Sequence, residues 1–276
     1  MKKYEIIKEY EEKQFRRITG VKKTTFSKMI EILKKSYAEK HRRRGRKPKL
    51  SIEDQLLAAL EYWHEYRTCA HIATSYGVAE SNMYRNIRWI EEVLIKDGTF
   101  SLPGKKELPK SDTAYEIILI DATETAVERP KKKQRKYYSG KKKRHTMKTQ
   151  FVADKKKMKT ICLSFCNGKK HDFRLFKESG VHAGKDTEFE TDTGYTGITA
   201  IHPNSVLPKK RSKNTPLTKE EKRNNRLVSQ KRIYAEHAIQ FVKRFCILSE
   251  RYRNQRKSFA LRFSLLAGIC NFDRFV

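Results

Sequence analysis

Apolar residues in the first hundred positions recur at the spacing of amphipathic helices. In the segment FSKMIEILKKSY they fall on one helical face: Phe26, Met29, Ile30 and Leu33. Ser51, followed three residues later by Asp54, can cap a second helix, IEDQLLAALEYWHEY. Residues 1–96 are therefore predicted to be a helical region.

The end of this region has the layout of a helix-turn-helix. Thr68 can cap the short helix CAHIATSYG, Gly77 ends it, and the longer helix SNMYRNIRWIEEVLI follows the turn GVAE. Ala79 stands where a capping Ser or Thr is usual. The residues predicted to face a major groove are Ser81, Asn82, Tyr84, Arg85 and Arg88. A three-helix bundle with no DNA role is the alternative.

The basic segment RRRGRKPKL separates the first helices from this motif. Its arginines are Arg42, Arg43, Arg44 and Arg46. The segment is either a solvated linker or an arm that lies on DNA phosphates or in a minor groove. One segment can do both, so the two interpretations stay open.

Beyond residue 115 the period of the pattern changes from helical to alternating. YEIILIDATETAV predicts a strand, and MKTQFVADKKKMKTICLSFC predicts a hairpin that turns at 154–157. A helix over HDFRLFKESG, a strand over TEFETDTGYTGI and a short strand over NSVLPKK follow, and the chain is predicted to be helical from Thr218. The elements indicate a mixed α/β fold with the order three strands, helix, strand, short element, strand, helix.

The charge of the chain points to a polyanionic partner. The 276 residues include 63 Lys and Arg against 32 Asp and Glu, a formal net charge of +31. Nucleic acid is the commonest partner of such a protein, with ribosomal and membrane-surface proteins as alternatives. No apolar run has the roughly 18–20 residues of a membrane helix, and the five scattered cysteines suggest reduced thiols of an intracellular protein.

Three carboxylates stand out by their setting. Asp121 lies in the middle of the apolar strand IILIDAT, where an ionised acid is costly unless a cation or hydrogen bonds offset it. Asp192 lies at the end of the fourth strand, where a ligand can approach, and Glu236 lies on the last predicted helix before the C-terminal one. Three such groups could hold two magnesium ions that activate a water or a 3′-hydroxyl for in-line displacement.

Helical geometry adds detail at Glu236. At about 100° per residue, Arg232, Gln240 and Lys243 fall within roughly 40° of it. The opposite arc is apolar and is predicted to be buried: Tyr234, Ala235, Ala238, Phe241, Val242, Phe245 and Leu248. The alternatives are a structural buried acid at Asp121 and a surface ion pair at Glu236.

Residues 120–150, IDATETAVERPKKKQRKYYSGKKKRHTMKTQ, resemble the first-aspartate block of the insertion-sequence transposases of the DDE superfamily, specifically the insertion-sequence-five group. HDFRLFKES and TDTGYTGI are similar to the second-aspartate region. The helix with Arg232, Glu236 and Lys243 matches the signature Y-x2-R-x3-E-x6-R/K, with Ser229 in place of the tyrosine. The resemblance covers nearly the whole chain, including the helix-turn-helix.

The resemblance implies a ribonuclease H-like mixed-sheet catalytic core preceded by an all-α helix-turn-helix domain. It also implies a transposase that binds terminal inverted repeats, cleaves the DNA ends and joins their 3′-hydroxyls to target DNA. The expected cofactor is a pair of Mg²⁺ ions, for which Mn²⁺ would substitute, and the expected partner is double-stranded DNA bound by a homodimer or higher oligomer. Further phosphate contacts are expected from the basic run 129–144 and from the helix that carries Glu236: Lys141, Lys142, Lys143, Arg144, Arg232 and Lys243.

These patterns predict three regions: a helical DNA-binding region over 1–96 with its helix-turn-helix at 51–96, a linker over 97–115 rich in Gly, Pro and Lys, and a catalytic domain over 116–276. A bacterial protein of the cytoplasm, on the nucleoid, is expected. A transposase-derived regulator is disfavoured by the complete acidic set, and an RNA-binding structural protein by the acid at a strand centre. A standalone or domesticated nuclease without strand transfer remains open.

Overall fold

The computed structural model describes residues 3–40, 48–110, 115–211 and 216–276, apart from the side chains of Lys231 and Arg232. The chain forms two compact units. The helical unit contains the described residues up to Ser101 together with 242–250 and 254–276, and the sheet unit contains 102–241 and 251–253. No helix within the described ranges is long and apolar enough to cross a membrane.

Eleven α-helices are assigned in the described residues. They are α1 (Lys3–Ile7), α2 (Glu12–Thr19), α3 (Lys23–Lys40), α4 (Ile52–Leu60), α5 (Cys69–Tyr76), α6 (Glu80–Asp97), α7 (Gln134–Tyr137), α8 (Asp172–Ser179), α9 (Lys219–Lys243), α10 (Cys246–Ser249) and α11 (Phe259–Phe275). The strands are β1 (Ile117–Ala126), β2 (Tyr138–Ser139), β3 (Arg144–Asp154), β4 (Lys159–Asn167), β5 (Glu188–Thr191) and β6 (Ser205–Val206). The predicted order of strands and helices after residue 115 is confirmed, with α7 and β2 as additions.

The helix starts predicted in the helical unit are confirmed. The Ser51 hydroxyl accepts a hydrogen bond from the Asp54 backbone N–H, and the Thr68 hydroxyl accepts one from that of His71. Gly77 ends α5 with a φ of 62°, a conformation that suits glycine. Helix α4 continues as a π-helical turn over Glu61–Glu65, a detail that periodicity did not predict. The four apolar residues predicted on one face of α3 are all buried: Phe26, Met29, Ile30 and Leu33.

The C-terminal helix α11 is tied to the start of the chain by a buried carboxylate. Asp273 is fully buried, and its oxygens accept hydrogen bonds from Thr25 Oγ1 at 2.8 Å and the Lys22 backbone N–H at 2.7 Å. Arg16 and Arg244 pair with the same carboxylate at 3.3 and 2.9 Å. Helix α11, which lies inside the predicted range 116–276, therefore packs within the helical unit.

The sheet has the order β4–β3–β1–β5–β6, and β2 pairs with the beginning of β3. Strands β1, β3 and β4 are antiparallel neighbours, whereas β5 runs parallel to both β1 and β6. This mixed sheet of five main strands, with helices before and after β5, is a ribonuclease H-like core as expected. Its buried cluster includes Ile118, Ile120, Val152, Phe176 and Phe189.

Helix α9 differs from the prediction. Its buried residues within the described part are Ala235, Ala238, Ile239 and Val242, and most of its first half is exposed. Tyr234, predicted to be buried, is 48% exposed, and the helix ends at Lys243, before the buried Phe245 and Leu248. The prediction of an otherwise buried helix was wrong for Tyr234 and for the exposed first half of α9. The apolar period of 234–248 spans two elements because the backbone is extended at Phe245.

Candidate active site

Asp121 and Asp192 lie on neighbouring parallel strands at the same level. The pairing of β1 with β5 ends at Ile120 opposite Thr191, so each aspartate is one residue beyond the last pair. Adjacent strands lie roughly 4.8 Å apart, and side chains two residues apart share a face. Leu119 is opposite Glu190. Asp121 and Asp192 are each two residues further along the chain, so their side chains lie on the same face of the sheet as those of Leu119 and Glu190. The structure brings these two predicted residues together.

Hydrogen bonds from adjacent backbone groups hold both carboxylates. Asp121 Oδ1 accepts one from the Ala122 N–H at 2.7 Å. Asp192 Oδ1 accepts one from the Thr193 N–H at 2.5 Å and another from the Thr193 hydroxyl at 3.1 Å. Asp192 thereby starts a short 3-10 helix, Thr193–Tyr195. Both acids are half-buried, so a ligand can still reach them.

A buried tyrosine lies within electrostatic reach of these acids. Tyr195 is fully buried, and its hydroxyl has no hydrogen-bond partner among the described residues. Burial first, and then the negative charges of Asp121, Asp172 and Asp192, raise the pKa of Tyr195 well above its ordinary value. The site therefore concentrates negative charge around a neutral phenol.

Asp172, the first residue of α8, is a further acid at this place. Its Oδ1 accepts a hydrogen bond from Lys148 Nζ at 2.6 Å, and Lys148 also lies 3.8 Å from Glu124. Residue pattern alone did not distinguish Asp172, Lys148 or Tyr195 as candidates. The sequence shows Asp172 only as an acidic residue at the start of a helix soon after a strand. That arrangement is too common to mark a functional residue.

Glu236 does not join this pair in the structure. Its side chain is exposed on α9, and no group of three or more His, Cys, Asp and Glu residues able to hold a metal is found within the described ranges. Helix α9 does reach the face that carries Glu190, because Lys155 pairs with Glu190 at 2.7 Å and lies 5.4 Å from the centre of the Tyr234 ring. Lys243 is half-buried, and the Arg232 side chain lies outside the described part.

The donor set fits a hard divalent cation. Mg²⁺ binds through one or two carboxylates and completes its shell with water and substrate phosphate oxygens. Asp121 and Asp192 supply two carboxylates from neighbouring strands. With Glu236 apart from them, the pair alone is the part of the predicted metal site that the geometry supports.

The predicted recognition helix α6 presents its polar face as expected. Met83, Ile87 and Ile90 are buried. The exposed residues are Ser81, Asn82, Tyr84 and Arg85. Arg88 is only partly exposed, because it pairs with Glu91 at 3.3 Å and with Glu92 at 3.4 Å. Ala79 is an extended N-cap without a side-chain hydrogen bond, as the sequence predicted.

The basic run 129–144 forms a short helix, α7, and a hairpin of β2 with β3. Its turn carries the exposed residues Lys141, Lys142 and Lys143, and the exposed Arg144 begins β3. The arm residues lie outside the described part of the chain: Arg42, Arg43, Arg44 and Arg46. Cationic side chains therefore line the described surface of this hairpin.

The chain is similar to a known protein family and to a known protein. The family model described as DDE superfamily endonuclease matches residues 120–271, and the model for the helix-turn-helix of DDE superfamily endonuclease matches residues 48–100. A probable transposase for insertion sequence element IS702 from Microchaete diplosiphon is 44% identical over 271 residues, which cover 98% of each chain. No solved structure gives a significant match.

Proposed function

The chain belongs to the DDE superfamily of endonucleases, which are DNA-cleaving enzymes, and we propose that it is the transposase of an insertion sequence. In this proposal it binds the terminal inverted repeats of the element, cleaves at their ends and joins the 3′-hydroxyls to target DNA. The observation that carries the proposal is the pair Asp121, on β1, and Asp192, at equal height directly after β5. The 44% identity to the probable IS702 transposase supports it.

The carboxylates would bind Mg²⁺, with Mn²⁺ able to replace it. When bound, such ions increase the acidity of an attacking water or 3′-hydroxyl and stabilise the leaving oxygen. Asp121 and Asp192 would hold the ions through their side-chain oxygens, and backbone N–H bonds to Oδ1 keep both side chains oriented. Glu236 is the third proposed carboxylate, contributed by α9.

Recognition of the ends is assigned to α6. Ser81, Asn82, Tyr84 and Arg85 would face base edges and phosphates, with Arg88 at the border of the contact. Phosphate contacts along the DNA are assigned to the other basic residues: Arg42, Arg43, Arg44, Arg46, Lys141, Lys142, Lys143, Arg144, Arg232 and Lys243. A net charge of +31 supports such extended contact, and a dimer or higher oligomer would pair two ends.

The test uses DNA from the two sides of the gene, which should carry short inverted repeats. The purified chain is incubated with a labelled end fragment and a target plasmid in Mg²⁺, in Mn²⁺ or in a chelator. We expect metal-dependent cleavage at the end of the repeat and a joined product. Cleavage without joined product would support the nuclease alternative. Binding without cleavage in either metal would overturn the proposed activity in favour of a regulator.

A further inference from the structure

We propose that Asp172 is a positioning residue that holds the turn carrying Asp192, and that Lys148 in turn holds Asp172. The inference rests on the proposed function, because it takes Asp192 as a metal-binding carboxylate.

The first step is the close approach of Asp172 to the turn. A Cβ added to Gly194 would lie 2.8 Å from Asp172 Oδ2, 3.4 Å from its Cβ and 3.5 Å from its Cγ, and these are its three nearest heavy atoms. Gly194 does not have a positive φ, so its backbone could accept a side chain. The missing Cβ is therefore required by the contact with Asp172 and not by the conformation of the turn.

A second contact joins the same two elements. A Cβ on Gly197, whose φ is +101°, would lie 3.0 Å from the ring of Phe173. The first two residues of α8 thus lie against the two glycines that follow Asp192. A shift at the start of α8 would therefore move the turn and, with it, the Asp192 carboxylate.

The second step is the anchoring of Asp172 itself. Lys148 Nζ donates to Asp172 Oδ1 at 2.6 Å and to the Lys170 carbonyl at 2.7 Å. The Lys148 side chain is only 8% exposed, so water screens the pair weakly. Because Oδ1 is engaged by the ammonium group, the carboxyl cannot turn away from Gly194 without losing a charge-assisted hydrogen bond.

Lys148, which holds Asp172, also contacts β1, the strand that carries Asp121. Glu124 and Lys148 are register partners on β1 and β3, 3.8 Å apart at their charged atoms. Thr146 Oγ1 donates to Glu124 Oε2 at 2.8 Å and orients it. A continuous series of contacts thus runs from β1, which carries Asp121, through Lys148 and Asp172 to the turn of Asp192.

This arrangement indicates support of the metal-binding acids and not direct metal binding. One oxygen of Asp172 faces an ammonium group and the other faces Gly194. Loss of a residue that orients a metal ligand commonly costs about 10- to 100-fold in metal affinity or activity. We expect an effect of that size on the binding of Mn²⁺.

The experiment is a double-mutant cycle on the full chain with Asp172→Ala and Gly194→Ala. Mn²⁺ binding is measured without DNA by electron paramagnetic resonance, and DNA cleavage is measured as a function of Mn²⁺ concentration. Each single change should raise the Mn²⁺ Kd about 10- to 100-fold. The double change should be no worse than the weaker-binding single variant, because removing Asp172 makes room for the new Cβ.

Two further variants separate positioning from general loss of structure. Lys148→Arg, which keeps the charge, should bind Mn²⁺ within about threefold of the wild type, while Lys148→Met should match Asp172→Ala. Glu178→Gln is the control on the same helix, since Glu178 pairs with Arg174 and Lys170 on the exposed side of α8. It should leave Mn²⁺ affinity unchanged. If Asp172→Ala does not fold, the two Lys148 variants and Gly194→Ala decide the question.

A Mn²⁺ Kd for folded Asp172→Ala or Lys148→Met within twofold of the wild type would overturn the inference. Independent, additive losses in the cycle would do the same. Asp192→Asn is run alongside. If Asp192→Asn binds Mn²⁺ normally, the proposed metal site is wrong. If it loses Mn²⁺ and Asp172→Ala does not, the positioning role alone fails.

Discussion

In the helical unit, Asp273 is fully buried between Arg16, Arg244 and the Thr25 hydroxyl. In the sheet unit, Asp121 and Asp192 are half-buried at the level where paired strands end, and they accept hydrogen bonds from neighbouring backbone N–H groups. Aspartate side chains thus have different roles in the two units. A carboxylate bridged by two arginines fastens helices together, whereas two adjacent carboxylates repel each other and gain from a bound cation.

The largest expected effect is on the free energy of unfolding, which should depend on the buried Asp273 far more than on the half-buried Asp121. Asp273→Ala should lower the free energy of unfolding by about 3–5 kcal/mol, because it leaves Arg16 and Arg244 without their shared buried partner. Asp121→Asn should change it by less than about 1 kcal/mol. Urea denaturation of both variants measures the difference, and equal losses would remove the distinction between the two regions.

The next largest effect is a loss of DNA affinity when exposed residues of α6 are replaced. Arg85 is exposed, whereas Arg88 is engaged by Glu91 and Glu92. Arg85→Ala should weaken binding to the inverted repeat by about 1–3 kcal/mol, and Arg88→Ala should weaken it less. Fluorescence anisotropy at fixed salt measures both, with cleavage of preloaded ends as the control. A larger loss for Arg88→Ala would mean that its ion pairs open on DNA.

A smaller effect is expected at the two helix starts of the helix-turn-helix. Thr68→Ala removes the hydroxyl that accepts the His71 N–H and should cost about 1 kcal/mol. Ala79→Ser should gain a comparable amount, because Ala79 is an extended N-cap that lacks a side-chain hydrogen bond. Thermal denaturation of the pair should give shifts of opposite sign. Shifts of the same sign would contradict the capping argument.

The smallest effect is a pH dependence of the helical unit. Burial, and then the positive charge of Arg244, lower the pKa of His64, although the Ile18 carbonyl opposes them. The unfolded state therefore binds the proton more tightly, so the stability that neutral His64 contributes is complete above pH about 6.5 and is lost as the pH falls through the lower folded pKa. His64→Gln should flatten this slope between pH 7 and 5. An unchanged slope would assign the pH dependence to other groups.

The features that could be predicted were those set by the local spacing of apolar and capping residues. The helix faces of α3 and α6, the caps at Ser51 and Thr68 and the strand through Asp121 follow from residue spacing and backbone chemistry. The end of α9 did not follow from it, because a period of apolar residues does not reveal where the backbone changes direction. The exposure of Tyr234 did not follow either, because the period does not show which neighbours cover a helical face.

The roles proposed for Asp172 and Lys148 could not be predicted from local sequence patterns, for a different reason. Asp172 meets Gly194 only because α8 returns against the turn after β5. Lys148 on β3 meets Asp172 only because β3 pairs with β4, the strand that leads into α8. Contacts of this kind depend on tertiary packing, and the residue types involved are common on any charged surface.

The most direct test of the assignment is the cleavage rate of Asp121→Asn, measured with its affinity for the inverted-repeat DNA. The change keeps the shape of the side chain and removes the charge that would bind the metal ion. We predict a rate reduced by at least about a thousandfold, equivalent to roughly 4 kcal/mol, with DNA affinity within about twofold of the wild type. Cleavage at the wild-type rate, with normal DNA binding, would contradict the assignment of Asp121 and Asp192 as the catalytic pair.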